Sequence, residues 1–276
     1  MHDANDSQPS ADTEVAVTPR RPKGIYVLPN LFTLAALFGG FYAVVMAMNG
    51  RYDLATVAIF VAMVLDSLDG RVARMTNSQS AFGEQMDSLS DMVAFGAAPA
   101  LIVYQWALQD LGRLGWIPAF VYIAGAALRL ARFNVNIGVV DKRFFQGLPS
   151  PAAAAIVMSF IWVMDDAGFK SVSRIDWIEW SAFAVTLYAG LSMVTNAPFY
   201  SFKVWGGRRT VPFAVLIVVM LTIALVALDP PRVLFGIFCL YGLSGYVVYA
   251  WRKYKGRHAS VVALSTDEPD EKGLHP

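Results

Sequence analysis

The chain of 276 residues is 56% hydrophobic and only 16% charged, with 18 Phe, 11 Tyr and 7 Trp. That apolar excess excludes an ordinary soluble domain and marks a polytopic membrane protein. A net charge of +1 excludes the global basic field of a nucleic-acid binder, so any electrostatic function depends on where the charges sit. The one cysteine, Cys239, rules out an intrachain disulfide, and His2, His258 and His275 all lie in polar tails. A metal inside the bundle would therefore be held mainly by oxygen.

In chain order, residues 1–24 are rich in Pro, Ser and Asp and lack the apolar core and cleavage site of a signal peptide, which predicts a disordered, uncleaved tail. Residues 25–252 form the expected transmembrane domain, with apolar spans near 28–48, 53–75, 87–107, 115–135, 150–166, 176–196, 211–228 and 232–251. The spans at 150–166 and 176–196 carry the weakest pattern, because "DDAGFKSVSRID" between them is polar and the first is short. Residues 253–276 read as a second disordered tail. The expected fold is an all-α bundle of eight transmembrane helices.

Eight crossings put both termini on one side of the membrane. Of the 22 Lys and Arg residues, only Arg51, Arg113, Lys170, Arg174 and Arg232 then face the other side. The positive-inside rule makes the richer side cytoplasmic. The expectation is a multi-pass protein of the cell (inner) membrane with both termini in the cytoplasm.

The second span runs without a linker into "DSLDGRVARMTNSQSAFGEQMDSLSD", residues 66–91. A charge deep in a bilayer costs roughly 2.5–3.5 kcal/mol on insertion scales, so such residues face a bundle interior or a cavity. Asp66 and Asp69 are three apart and Asp87 and Asp91 four apart, so each pair shares one helix face. Two facing helices would bring four carboxylates together, where like charges force protonation unless cations intervene. Carboxylate-only ligation selects Mg²⁺, Mn²⁺ or Ca²⁺ over Zn²⁺. Two such ions are a recurrent device for phosphoryl transfer. Gly70 and Ala73 remove bulk beside the acids, and Arg74 supplies a planar fork suited to phosphate. The blander readings are ion pairing with Arg71 and Arg74, or the ion path of a cation transporter. Transport is disfavoured because residues 139–276 hold no second aspartate-rich motif.

With its spacing, Asp66-x-x-Asp69-Gly70-x-x-Ala73-Arg74, eight residues, Gly83, three residues, Asp87, three residues, Asp91, the segment resembles the signature of the CDP-alcohol phosphatidyltransferase family without a departure. The resemblance implies an integral-membrane enzyme that transfers a substituted phosphoryl group from a CDP-linked donor to a hydroxyl, releasing CMP. It implies that Asp66, Asp69 and Asp87 hold Mg²⁺ or Mn²⁺, two ions in all. Asp91 would join them at the metal site and also act as the base on the attacking hydroxyl. Gly70, Ala73 and Arg74 would seat the CDP moiety. Gly83 is expected to let the connection turn tightly into the third helix. "LPNLFT", with Asn30 and Thr33, is similar to the family's opening segment beside the nucleotide, although Asn30 reads equally well as a helix cap.

"SDMVAFGAAPA", "ALRLARFN" and "FFQGLPSPAAAA" resemble segments of the serine-using members of the family. They imply CDP-diacylglycerol as donor and L-serine as acceptor. Arg129 and Arg132, with Lys142 and Arg143 in the next loop, supply cations for the serine carboxylate, so Arg129, Arg132 and Arg143 are the candidate serine contacts. The alternative for these cations is anchoring to membrane lipid head groups. Other acceptors within the family are glycerol 3-phosphate, inositol phosphate and choline. The small residues Gly96, Ala97, Ala98 and Ala100 are expected to seat a neighbouring helix or a second protomer, and the resemblance implies a homodimer.

Overall fold

The computed structural model describes residues 27–76, 78–135, 144–169, 176–200 and 213–255. The tail 1–24 lies outside the described residues, as does the second tail beyond residue 255. Among the described residues the fold is almost wholly helical: α1 (Val27–Met48), α2 (Tyr52–Met75), α3 (Ala81–Asp91), α4 (Ala98–Trp106), α5 (Trp116–Val135), α6 (Ser150–Asp166), α7 (Asp176–Val194), α8 (Phe213–Leu228) and α9 (Pro230–Tyr254). A π-helical turn, Met92–Ala97, joins α3 to α4, so that Ala81–Trp106 is one continuous rod.

Helices thus occupy every stretch where a span was expected. The third begins six residues earlier than expected, and α9 runs two residues past the domain boundary placed at 252. Four of them, Pro29–Met48, Ala81–Trp106, Trp116–Val135 and Pro230–Tyr254, are long and apolar enough to cross a membrane. α2 carries the site's charges, and α6 and α8 have only 17 and 16 residues. α6 is short yet central: Ala152 through Ile161 are all buried by the surrounding helices.

The boundaries have local causes. α2 closes at Thr76, whose Oγ1 donates to the Val72 carbonyl (2.8 Å). α3 opens at Ser80, whose side chain accepts from the Gly83 N–H (3.0 Å), satisfying a free donor of the first turn. α9 opens at Asp229, with Pro230 and Pro231 in its first turn, where a missing N–H costs nothing. At this end of the bundle Arg232 bridges Asp229 and Asp166 and ties the start of α9 to the end of α6.

Among the described residues a short β-ribbon departs from an all-α fold. β1 (Phe144–Gln146) pairs antiparallel with β2 (Pro198–Tyr200), Phe145 opposite Phe199. Gly147 follows β1 at φ +76°, with a Cβ position 2.9 Å from the Thr195 carbonyl oxygen, so any side chain there would be strained and crowded. Phe199 is fully buried against the rings of Tyr241 and Tyr246 on α9. The ribbon therefore fixes the starts of α6 and the ends of α5 and α7 at the same end of the molecule as the acid cluster.

The expected close packing by small residues is met within the chain: Gly96 faces Ala126 of α5, and Ala98 and Ala100 are buried. Gly40 of α1 lies so close to the π turn that an added Cβ would stand 2.6 Å from the Cα of Ala94.

Candidate active site

The last turns of α2 and the first turns of α3 bring Asp66, Asp69 and Asp87 together. One carboxylate oxygen from each lies within 4.8 Å of the other two. Bare carboxylates so close repel one another, and a hard divalent cation relieves that repulsion with the ligand type it prefers. The donor set therefore fits such an ion. Asp69 is buried, and its Oδ2 accepts a hydrogen bond from Thr33 Oγ1 (2.8 Å).

Asp91 stands one turn deeper, beside Asp66 and within electrostatic reach of Asp87, Asp69 and Arg129. Its Oδ1 is buried and has no hydrogen-bond partner among the described residues. An unsatisfied buried acceptor costs about 1–3 kcal/mol, and such an atom inside an acid cluster is placed to accept from a bound hydroxyl.

The π turn begins at the residue after Asp91. Its closure is visible in the N–H of Ala98, which reaches back to the Val93 carbonyl. The buried Tyr122 hydroxyl of α5 donates to the Phe95 carbonyl within it (2.9 Å). A π turn holds one more residue than an α turn. Here it allows Asp87 and Asp91 to face α2 while Ala98, Ile102 and Trp106 face the core.

Gly70, Ala73 and Arg74 line the end of α2. The Arg74 guanidinium folds back beside Gly70, with Nη1 3.5 Å from that residue's Cβ position. Asn30 lies inside α1 and is therefore no cap. Its Oδ1 is 3.5 Å from the Cβ position of Gly83, and Ser80 Oγ is 3.2 Å away. The turn into α3 is thus made by the Ser80 cap, and Gly83 leaves room for Asn30. Thr33 points at Asp69.

The predicted cations part company. Arg129 is buried, faces Asp91, and donates through Nη1 to Ser150 Oγ (2.8 Å) at the start of α6. Arg132 instead donates to protein acceptors at the ribbon: Nη1 to the Val194 carbonyl (3.2 Å) and Asn196 Oδ1 (3.1 Å), Nη2 to the carbonyls of Met193 (3.2 Å), Gln146 (3.3 Å) and Thr195 (3.4 Å). Arg143 and Lys142 lie outside the described residues. Replacing Arg132 with either Ala or Lys is expected to lower stability by about 1.5–3 kcal/mol, because a single ammonium cannot reproduce the planar fork. Thermal melts of the two variants check this; a wild-type melting temperature for Arg132→Lys would show that charge alone suffices.

Ser150, Tyr122 and Ser90 were not anticipated. Ser150 lies in "FFQGLPSPAAAA" and Ser90 opens "SDMVAFGAAPA", two of the segments that carry the family resemblance. Nothing in the sequence around Tyr122 signals its bond to a residue 27 positions away.

An acid-lined bundle end with an arginine at either edge suits a ligand that brings phosphate and a divalent cation together. A family model described as CDP-alcohol phosphatidyltransferase matches residues 26–194. The chain is 34% identical over 224 residues to a CDP-diacylglycerol--serine O-phosphatidyltransferase of Helicobacter pylori (strain J99 / ATCC 700824), covering 81% of this chain and 92% of that protein. It is 36% identical over 135 residues to the archaetidylserine synthase of Methanothermobacter thermautotrophicus, covering 48% and 57%. It is 35% identical over 151 residues to a Saccharomyces cerevisiae protein named like the first, covering 49% and 53%. The chain belongs to the CDP-alcohol phosphatidyltransferase family.

Proposed function

We infer that this membrane protein is an enzyme that transfers the phosphatidyl group of CDP-diacylglycerol to the hydroxyl of L-serine, giving phosphatidylserine and CMP. The observation that carries this is the convergence of Asp66, Asp69 and Asp87 beside a buried, unpartnered Asp91 oxygen and Arg129. It occurs in a chain 34% identical to a serine O-phosphatidyltransferase over most of both lengths.

Asp66, Asp69 and Asp87 would hold Mg²⁺ or Mn²⁺, two ions in all. When bound, the ions supply neutralisation of the donor's pyrophosphate and polarise the phosphorus under attack. Arg74, with Gly70 and Ala73 beside it, receives the CDP moiety, and Asn30 borders it. Arg129 pairs with the serine carboxylate and holds the hydroxyl toward Asp91. Asp91 takes the hydroxyl proton as the serine oxygen bonds to the phosphatidyl phosphorus. The phosphorus–oxygen bond to CMP breaks, and CMP leaves with the bonding electron pair.

The domain is taken to span 25–252, crossing the cell (inner) membrane eight times, with both termini and the acid cluster on the cytoplasmic side. The cationic bias of the loops supports this orientation. A homodimer is the proposed assembly, supported by the family resemblance; light scattering of the detergent-solubilised chain measures it.

The test is to incubate purified protein with CDP-diacylglycerol, Mg²⁺ or Mn²⁺, and serine, glycerol 3-phosphate, inositol phosphate or choline, and to follow CMP release. Serine-dependent release is expected, and release with another alcohol alone overturns the acceptor. Chelation is expected to abolish turnover and either ion to restore it. Full turnover in metal-free buffer would remove the ions from the reaction.

A further inference from the structure

We propose that Thr33 is a positioning residue that sets the orientation of the Asp69 carboxylate toward a divalent cation, and that Ser90 holds Thr33 in place for that task. This rests on the reading that Asp66, Asp69 and Asp87 bind the cation. Ser90 Oγ of α3 donates to the Thr33 carbonyl of α1 (3.0 Å), and Thr33 Oγ1 donates to Asp69 Oδ2 of α2 (2.8 Å). All three side chains are buried, at 1%, 4% and 6% exposure. The chain of bonds joins the three helices that build the site.

Thr33 Oγ1 also lies 3.2 Å from the Pro29 carbonyl. A hydroxyl has one hydrogen, and the shorter, charge-assisted bond to the carboxylate takes it. The terminal torsion of an aspartate is broad, and apart from the backbone N–H of Gly70 and the charge of Arg74, the Thr33 hydroxyl is what holds the Asp69 carboxylate at one angle. The bond from Thr33 narrows that freedom and occupies one lone-pair direction of Oδ2, leaving a defined set of directions for a cation. Partners of this kind orient metal ligands and change affinity by about 10–100-fold when lost. Ser90 immediately precedes Asp91, so the same chain of bonds keeps the proposed base in register with the acids of α2.

The experiment measures Mn²⁺ binding to the full-length, detergent-solubilised chain by the electron paramagnetic resonance signal of free Mn²⁺, with no substrate present. Asp69→Asn, Thr33→Val and Thr33→Ser are compared with the wild type. Valine keeps the shape of threonine without the hydroxyl, and serine keeps the hydroxyl. The expected result is a fall in Mn²⁺ affinity of about 10–100-fold for Thr33→Val, with most of it recovered in Thr33→Ser. Wild-type protein that binds no Mn²⁺, or Asp69→Asn that binds it normally, overturns the metal-site reading itself. Weakened binding in Asp69→Asn with wild-type affinity in Thr33→Val overturns the role of Thr33 alone. Should Thr33→Val fail to fold, Ser90→Ala is measured instead; a weaker Mn²⁺ affinity upholds the relay and an unchanged one overturns it.

Discussion

Asp91→Asn is expected to lower kcat by roughly 10²–10⁴-fold, the usual contribution of a positioned general base, while the KM for CDP-diacylglycerol stays near its wild-type value. Asparagine matches the shape of aspartate but cannot accept the serine proton. The effect should fall on turnover because Asp91 lies a turn deeper than the acids nearest the donor, with its Oδ1 buried and unpartnered. CMP release at saturating donor and serine, together with direct binding of CDP-diacylglycerol, separates the two quantities. A near-normal kcat would remove Asp91 as base. Loss of donor binding in step with turnover would make it a ligand of the donor's cation instead.

Arg129→Ala is expected to raise the KM for serine about 10–100-fold, from the loss of a charged hydrogen bond worth about 1.5–3 kcal/mol. The donor's KM should change much less. Arg129 is buried within electrostatic reach of Asp91, and among the described residues its side chain donates to the neutral Ser150 hydroxyl. Burying such a cation is expensive unless anions meet it; Asp91 is one, and the carboxylate of an amino acid would supply another on the side open to the acceptor. Ser150→Ala serves as a companion: it removes the bond at Nη1 and should move the serine KM in the same direction by less. Equal losses for serine and donor would place Arg129 on the nucleotide, and unaltered kinetics would leave it a structural cation.

The acids were legible because their spacing is local. Three- and four-residue intervals in "DSLDG" and "DSLSD" put each pair on one face whatever the tertiary fold, and the membrane setting makes unpaired carboxylates conspicuous. The helices were legible for a similar reason, as runs of apolar residues, with their ends blurred by a turn or two. What escaped depends on contacts between distant parts of the chain. The bond from Thr33 to Asp69 joins positions 36 apart, and Arg132 reaches Asn196, 64 residues on. Neither separation leaves a mark on local pattern, so Arg129 and Arg132 looked equivalent in "ALRLARFN" although one enters the site and the other secures the ribbon. The ribbon itself is built from two three-residue strands, too short for alternation to show.

The π turn at Met92–Ala97 also limits how this segment can change over evolutionary time. An α-helix advances about 100° per residue, so deleting a single residue there would swing the aspartates of α3 away from α2, or the apolar face of α4 away from the core. Substitutions within the turn leave that angular relation intact; insertions and deletions do not. Length is as strictly constrained between Asp91 and Ala98 as the small residues Ala94 and Gly96 that pack against α1 and α5, and a chimera spliced inside that interval must preserve the residue count whatever other side chains it changes.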